Sequence, residues 1–171
     1  AVPSEYVRQT VISATGVDAG KVMVVPHGME PSIGVDAIPE DVLRRKYGLG
    51  DGPVLVYPGI THPHKNHIFL LELMATKWNH PDLKIVFAGG KGLADEEVTA
   101  AIARLNLSDR VIRPGRVNAT DRDGLIKMAL GVVFPSEYEG FGAPVIEAMA
   151  LGAPVACSDR ASLPEVAGDA G

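Results

Sequence analysis

The stretch GVVFPSEYEGFGAPVIEAMALGAPVACS (131–158) holds the fold in miniature. Its two ends, GVVFPS (131–136) and APVACS (153–158), are short apolar runs bounded by Gly, Pro or Ser. Near-continuous apolar character without polar alternation is how strands buried on both faces of a parallel sheet read. Between them APVIEAMAL (143–151) predicts a helix. Pro144 suits its first turn, where a missing N–H costs nothing, and Gly152 stands where the helix should stop. Strand, helix and strand at this spacing make a parallel βαβ unit, with the glycine-rich turn EGFG (139–142) at the handover from the first strand to the helix.

Outward from this unit the same rhythm repeats. PVLVYPG (53–59), LKIVFAG (83–89) and RVIRPG (110–115) predict further strands, and NHIFLLELMATKWN (66–79), ADEEVTAAIARLN (94–106) and TDRDGLIKMAL (120–130) predict helices. Asp95 and either Thr120 or Asp121 are the expected N-caps, and Gly131 an expected helix stop. Five βα units in a row predict a doubly wound, Rossmann-like α/β sheet. Residues 1–35 break the pattern with one strand candidate, VMVVP (22–26), and the turn HGMEPSIG; IPEDVLRRKYG (38–48) then predicts a short helix ended by Gly48. The expected division is a tail of a preceding domain and a linker at 1–35, then the Rossmann-like domain at 36–171, truncated at its C-terminal end. AVPSEYVRQTVISATG does not resemble a natural start and LPEVAGDAG stops without a closing element, so a piece of a longer protein is expected.

A length of 171 residues with 46% hydrophobic and 22% charged residues suits one domain with a sizeable core. The formal net charge of -5, with no Lys/Arg run, argues against a nucleic-acid partner. The single cysteine, Cys157, excludes an internal disulfide framework and fits a reducing, cytoplasmic compartment; inside a strand it is expected to be a core thiol. No apolar run approaches the roughly 20 residues of a membrane span.

In doubly wound sheets ligands sit beyond the carboxyl ends of the strands. Three unusual stretches are predicted there: GITHPHKNH (59–67), AGGKG (88–92) and EGFGAP (139–144). In the last, Gly140 and Gly142 permit close approach or positive φ, so that free amides of residues 141–143 can meet a phosphate at the helix start. Glu139 and Glu147 flank this turn. Acids beside a phosphate repel it unless they face another part of the ligand, and an ionised carboxylate accepts hydrogen bonds from paired hydroxyls. Amides for phosphate and acids for hydroxyls together indicate a nucleotide sugar. Lys65 adds a cation suited to a diphosphate, which leaves no need for a metal.

These residues carry a resemblance. FPSEYEGFGAPVIEAMALGAPVACSD followed by LPEVAGDAG resembles the donor-binding half of the retaining glycosyltransferases of family 4, with the GT-B fold, whose signature of Glu, seven residues and Glu is matched by Glu139 and Glu147 in their E-G-F-G-x-P-x-x-E-A-M-A context. VVPHGME (24–30), HPHKNH (62–67) and GRV (115–117) resemble other segments of the same family, so nearly the whole chain is covered. The resemblance implies a single GT-B half-domain that takes a nucleoside-diphosphate sugar as donor substrate, with no separate cofactor. Lys65 would hold the diphosphate and Glu139 the sugar near the reacting carbon. Glu147 would take the ribose hydroxyls and Val117 the base. Gly59, Gly89, Gly140, Phe141, Gly142 and Ala143 would line the donor site through their backbone. The arginine that many relatives carry shortly before the lysine has no counterpart in YPGIT (57–61); His62, His64 and Arg116 are the alternatives for its role. The implied reaction passes the sugar to an acceptor hydroxyl with retained anomeric configuration, the acceptor being a glycan or lipid-linked sugar bound by an absent N-terminal domain. The fragment alone is then expected to be inactive. HPHKNH with Pro58 also resembles bacterial mannosyl- and rhamnosyl-type enzymes of surface polysaccharide synthesis, which is compatible with a peripheral position of the full-length protein at the inner membrane face.

The competing readings are plainer. The alternative function is a non-catalytic module that binds a nucleotide sugar or a partner, which the fold alone would permit. Glu139 and Glu147 read by themselves as partners of a helix dipole. His62, His64 and His67 have the spacing of metal ligands, yet Pro63 and a helix start at Asn66 would scatter them, so solvated or ligand-edge histidines are expected. Asp121-Arg122-Asp123 reads as a helix cap with a first-turn acid rather than a metal motif. GGKG (89–92) lacks P-loop spacing and reads as a tight turn.

Overall fold

The computed structural model describes residues 1–170. Five strands, β1 (Val54–Tyr57), β2 (Lys84–Phe87), β3 (Val111–Ile112), β4 (Gly131–Phe134) and β5 (Val155–Cys157), form one parallel sheet in the order β3-β2-β1-β4-β5. The helices are α1 (Glu5–Thr15), α2 (Glu40–Tyr47), α3 (His67–Thr76), α4 (Asp95–Arg104), α5 (Ala119–Met128), α6 (Ala143–Ala150) and α7 (Leu163–Ala167). The doubly wound Rossmann-like expectation is met.

The apolar strands are buried on both faces because the sheet has a core on each side. Tyr57, Leu71, Ile85, Val98 and Phe134 belong to one cluster, and Leu43, Val56, Val86, Leu125 and Val132 to the other. Side chains alternate across the pleat, so Val56 and Tyr57 fall in different clusters. β5 departs from this pattern. It lies at the sheet edge, Ala156 is exposed, and Cys157 packs against the core while only half-buried; burial pushes its pKa up.

Several local expectations are corrected. The cap of α5 is Asn118, whose side chain accepts from the amide of Asp121; Thr120 and Asp121 lie inside the helix. Asp95 is the first residue of α4 and makes no cap bond, its carboxylate being taken by Arg113 and Thr61. Gly131 begins β4, because α5 already ends at Met128. VMVVP forms no strand: its sole ladder partner is Val2, through a bridge to Val24, and one bridging residue cannot extend a sheet. The RVIRPG strand is two residues long, since Pro114 has no N–H to donate and Gly115 turns the chain at φ 77°. The segment EYVRQTVISAT, unassigned from sequence, is α1, capped by Ser4 and closed by Gly16 at φ 67°. LPEVA, also unassigned from sequence, is α7.

The topology positions the site. From the central β1 the chain moves outward to β2 and β3, then returns across the sheet to β4 on the other side of β1. All strands run parallel, so the loops 58–66, 88–94, 113–118 and 135–142 emerge at one edge. The order reverses between β1 and β4, which is where a doubly wound sheet opens a crevice.

Candidate functional site

Lys65 leaves the loop after β1 and Glu139 the loop after β4, the two strands that flank the reversal. Their side chains meet there, Nζ 2.5 Å from Oε1, with side-chain exposures of only 16% and 13%. The Lys65 ammonium also lies over the Phe134 ring, 5.1 Å from its centroid. The local backbone explains the lysine's position. Pro63–Lys65 is a 3-10 turn, and Asn66 then enters α3 in the left-handed region at φ 56°. The carbonyl of Lys65 accepts from the Tyr57 hydroxyl at 2.7 Å, and that phenol lies 3.1 Å from Ser136 Oγ. Burial, opposed by the Ser136 contact and assisted by the charge of Glu139, raises the Tyr57 pKa well above its ordinary range. The amide of Glu137 donates to the carbonyl of His64 at 2.8 Å, joining the two loops directly.

Gly142 turns the EGFG loop into α6 at φ 95°, and a Cβ there would stand 2.6 Å from Leu163 Cδ2. Only glycine combines that backbone with that contact. The amides of Gly140, Phe141, Gly142 and Ala143 have no hydrogen-bond partner among the described residues. Unpaired amides at a helix start are donors of the kind that can meet an anion. Phe141 packs edge-on against His27, ring centroids 5.1 Å apart.

Glu147 projects from the middle of α6, half-sheltered, with Arg122 Nη1 3.8 Å from its Oε1. Arg122 is itself anchored on the buried Asp123, whose other oxygen accepts from the amide of Gly34 at 2.7 Å. Asp121 accepts from Lys46 and Tyr47; burial alone would raise its pKa, but these two bonds outweigh it and hold the carboxyl below its ordinary value. Asp121 and Asp123 are thus both occupied by protein donors.

Gly59 and Gly89 meet where the first two loops cross. A Cβ on Gly89 would lie 1.8 Å from the carbonyl oxygen of Gly59, so the two loops meet there backbone to backbone. Thr61 ties the same loops, its hydroxyl accepting from the amide of Gly92 and donating to Asp95. Val117 lies in the loop between β3 and α5, half-buried, with no hydrogen bond to the rest of the protein among the described residues. Ile60, not a cation, occupies the loop ahead of Lys65 and is 46% exposed.

The three histidines separate, and among the described residues no group of three or more metal-binding side chains gathers. His62 and His64 stack at the loop surface, 5.8 Å between centroids. His67 corrects the expectation of a solvated ring. It is buried between Tyr57 and Phe87, neither ring nitrogen has a partner, and burial together with the charges of Arg113 and Lys65 lowers its pKa to about 4.

Sequence reasoning missed Tyr57, Ser136, Arg122, Ser4 and Ser162, all of which touch the site residues or their loops. Ser4 before a helical run carries a readable N-cap signal, but what its hydroxyl donates to is a tertiary fact.

The doubly wound parallel sheet, with its order reversing between β1 and β4, is that of one half of a GT-B fold. Residues 39–171 match the family described as Glycosyl transferases group 1, and the chain belongs to that family. It is 36% identical to O-antigen chain mannosyltransferase B of Escherichia coli over 132 residues, covering 74% of this chain and 34% of that protein. It is 30% identical to D-inositol 3-phosphate glycosyltransferase of Kineococcus radiotolerans over 158 residues, covering 86% of this chain and 36% of that one. Its fold matches the crystal structure of Anabaena HepE in complex with UDP-glucose, with a TM-score of 0.82, 23% identity, and coverage of 96% of this chain and 45% of the other. The chain thus spans less than half the length of these relatives. No helix among the described residues is long and apolar enough to cross a membrane.

Proposed function

We propose that this chain is the donor half of a retaining glycosyltransferase that moves a sugar from a nucleoside diphosphate to an acceptor hydroxyl. The Lys65–Glu139 pair at the sheet reversal carries the reading, because it sets a cation and an acid side by side next to unpaired amides. Donor binding exchanges that one contact for two: Lys65 turns to the diphosphate and Glu139 to the hydroxyls of the sugar. Glu147, steadied by Arg122, takes the ribose diol, and Val117, with its main chain unengaged, meets the base. The backbone of Gly59, Gly89, Gly140, Phe141, Gly142 and Ala143 lines the site.

As the glycosidic bond breaks, negative charge grows on the departing diphosphate and positive charge on the sugar ring. Lys65 and the amides of residues 140–143 stabilise the first more strongly in the transition state than in the ground state, which is what lowers the barrier. The diphosphate is neutralised by protein groups, with no metal in the step. The acceptor, a glycan or lipid-linked sugar, belongs to a region outside this chain, so the chain binds donor and transfers nothing alone. The mannosyltransferase and HepE names fit a sugar nucleotide as the ligand class.

The test is a thermal-shift series of nucleoside diphosphates and their sugars with uracil, guanine and adenine bases. The wild type should be stabilised by one base series, and Lys65→Ala and Glu147→Gln should each shrink that shift. The reading is lost if no nucleotide at millimolar concentration moves the wild-type melting point.

A further inference from the structure

We infer that Ser4 and Ser162 are positioning residues of the donor site, fixing the direction in which the amides of Gly140, Phe141 and Gly142 face. This rests on the reading that these amides meet the donor. Both serines are fully buried. Ser162 Oγ lies 2.9 Å from the carbonyl oxygen of Glu139 and 3.0 Å from that of Phe141. Ser4 Oγ donates to the carbonyl of Gly140 at 2.7 Å. Two hydroxyls from opposite ends of the chain thus reach three consecutive carbonyls of the EGFG loop, Ser162 sharing its single proton between those of Glu139 and Phe141 and Ser4 giving its own to that of Gly140.

A trans peptide points its C=O and the following N–H in opposite directions. Holding the carbonyls of Glu139 and Phe141 at Ser162 turns the amides of Gly140 and Gly142 away from α7. Holding the carbonyl of Gly140 at Ser4 turns the amide of Phe141 away from α1. The free amides of the loop are thus consequences of where its carbonyls are bound. Ser162 stands at the start of α7 but makes no cap bond to its own helix; its hydroxyl is committed to the loop. Ser4 does both, accepting from Val7 at 3.2 Å while donating to Gly140.

A brace keeps the two serines in register. The Glu165 carboxylate of α7 accepts from the amide of Glu5 at 2.9 and 3.0 Å and from that of Tyr6 at 3.3 Å, fastening the start of α1 to α7. Ser4 lies outside residues 39–171 that match the family, so the donor site of this chain extends into the segment before the match.

The experiment is a titration of the 15N-labelled chain with UDP, GDP and ADP in turn, following the backbone amide resonances of residues 140–142. In the wild type these should shift saturably with the preferred nucleotide. Ser4→Ala and Ser162→Ala should each bind it about tenfold more weakly, the size expected when a hydrogen bond holding a ligand group is lost. Ser162→Ala should reduce the shifts of Gly140 and Gly142 most, and Ser4→Ala that of Phe141. Ser162→Cys, which keeps a donor of similar size, should fall between wild type and Ser162→Ala. Val98→Ala, a core change in α4, should lower the melting temperature without altering the titration. Variants that fold and bind as the wild type does, or the same loss in Ser162→Cys, Ser162→Ala and Val98→Ala, would overturn the positioning role and leave the functional reading standing. A wild type that responds to none of the three nucleotides would overturn both.

Discussion

Lys65 and Glu139 stand 74 residues apart in the chain and 2.5 Å apart in space, each mostly shielded from solvent. The cause is the neighbouring placement of β1 and β4, which brings the ends of two distant βα units together. Removing one member of such a pair leaves the other charge poorly solvated, at a cost of about 3 kcal/mol. Lys65→Met should therefore lose about that much in urea unfolding, and the double variant with Glu139→Gln should recover part of it. Strictly additive losses would show that the two side chains do not interact.

Tyr57 supports the lysine from below. Its hydroxyl reaches the Lys65 carbonyl and Ser136 from a fully buried ring. Tyr57→Phe should cost about 1–2 kcal/mol, because buried acceptors lose their donor. It should also diminish the nucleotide-induced thermal shift, since the loop carrying Lys65 is no longer fastened. A Phe variant as stable and as responsive as wild type would remove Tyr57 from the support of the site.

Two adjacent glycines of the second loop, Gly89 and Gly90, should behave in opposite ways. Gly89→Ala drives a methyl group into the Gly59 carbonyl, whereas a Cβ on Gly90 meets nothing within 4 Å. Gly89→Ala should destabilise the protein by at least about 2 kcal/mol, as rigid backbone cannot yield to overpacking. Gly90→Ala should stay within about 0.5 kcal/mol of wild type, as surface changes do. Comparable melting temperatures for the two variants would contradict the close approach of the loops.

His67 makes stability depend on acidity. Its pKa falls from the ordinary 6.5 to about 4 in the folded protein. Between those values the unfolded chain binds more protons, so stability is full above pH 6.5 and declines as pH falls toward 4, by about 3 kcal/mol in all. His67→Phe keeps a ring between Tyr57 and Phe87, deletes two unpartnered nitrogens, and should flatten that decline. Unfolding curves at pH 7, 6, 5 and 4 decide it; parallel declines in both proteins would acquit His67.

The candidate site was legible in part. Glu139, Gly142 and Glu147 announce themselves because a turn into a helix imposes local demands on residue type, and Lys65 because it follows a strand end. His67 misled, since its ring belongs to the core and nothing in its neighbours in sequence says so. The caps misled in a similar way. Asp95 looks like a cap until Arg113, 18 residues later, takes its carboxylate.

By itself the sequence determined the parallel α/β architecture and the placement of the five sheet strands, though not the fate of VMVVP, because hydrophobic periodicity and glycine or proline stops act over a few residues. Only the tertiary structure decided that β4 lies beside β1, that Lys65 touches Glu139, and that Ser4 and Ser162 grip one loop from both sides. Those contacts join residues 21 to 136 positions apart, and their partners are chosen by sheet order and helix packing, which no local pattern encodes.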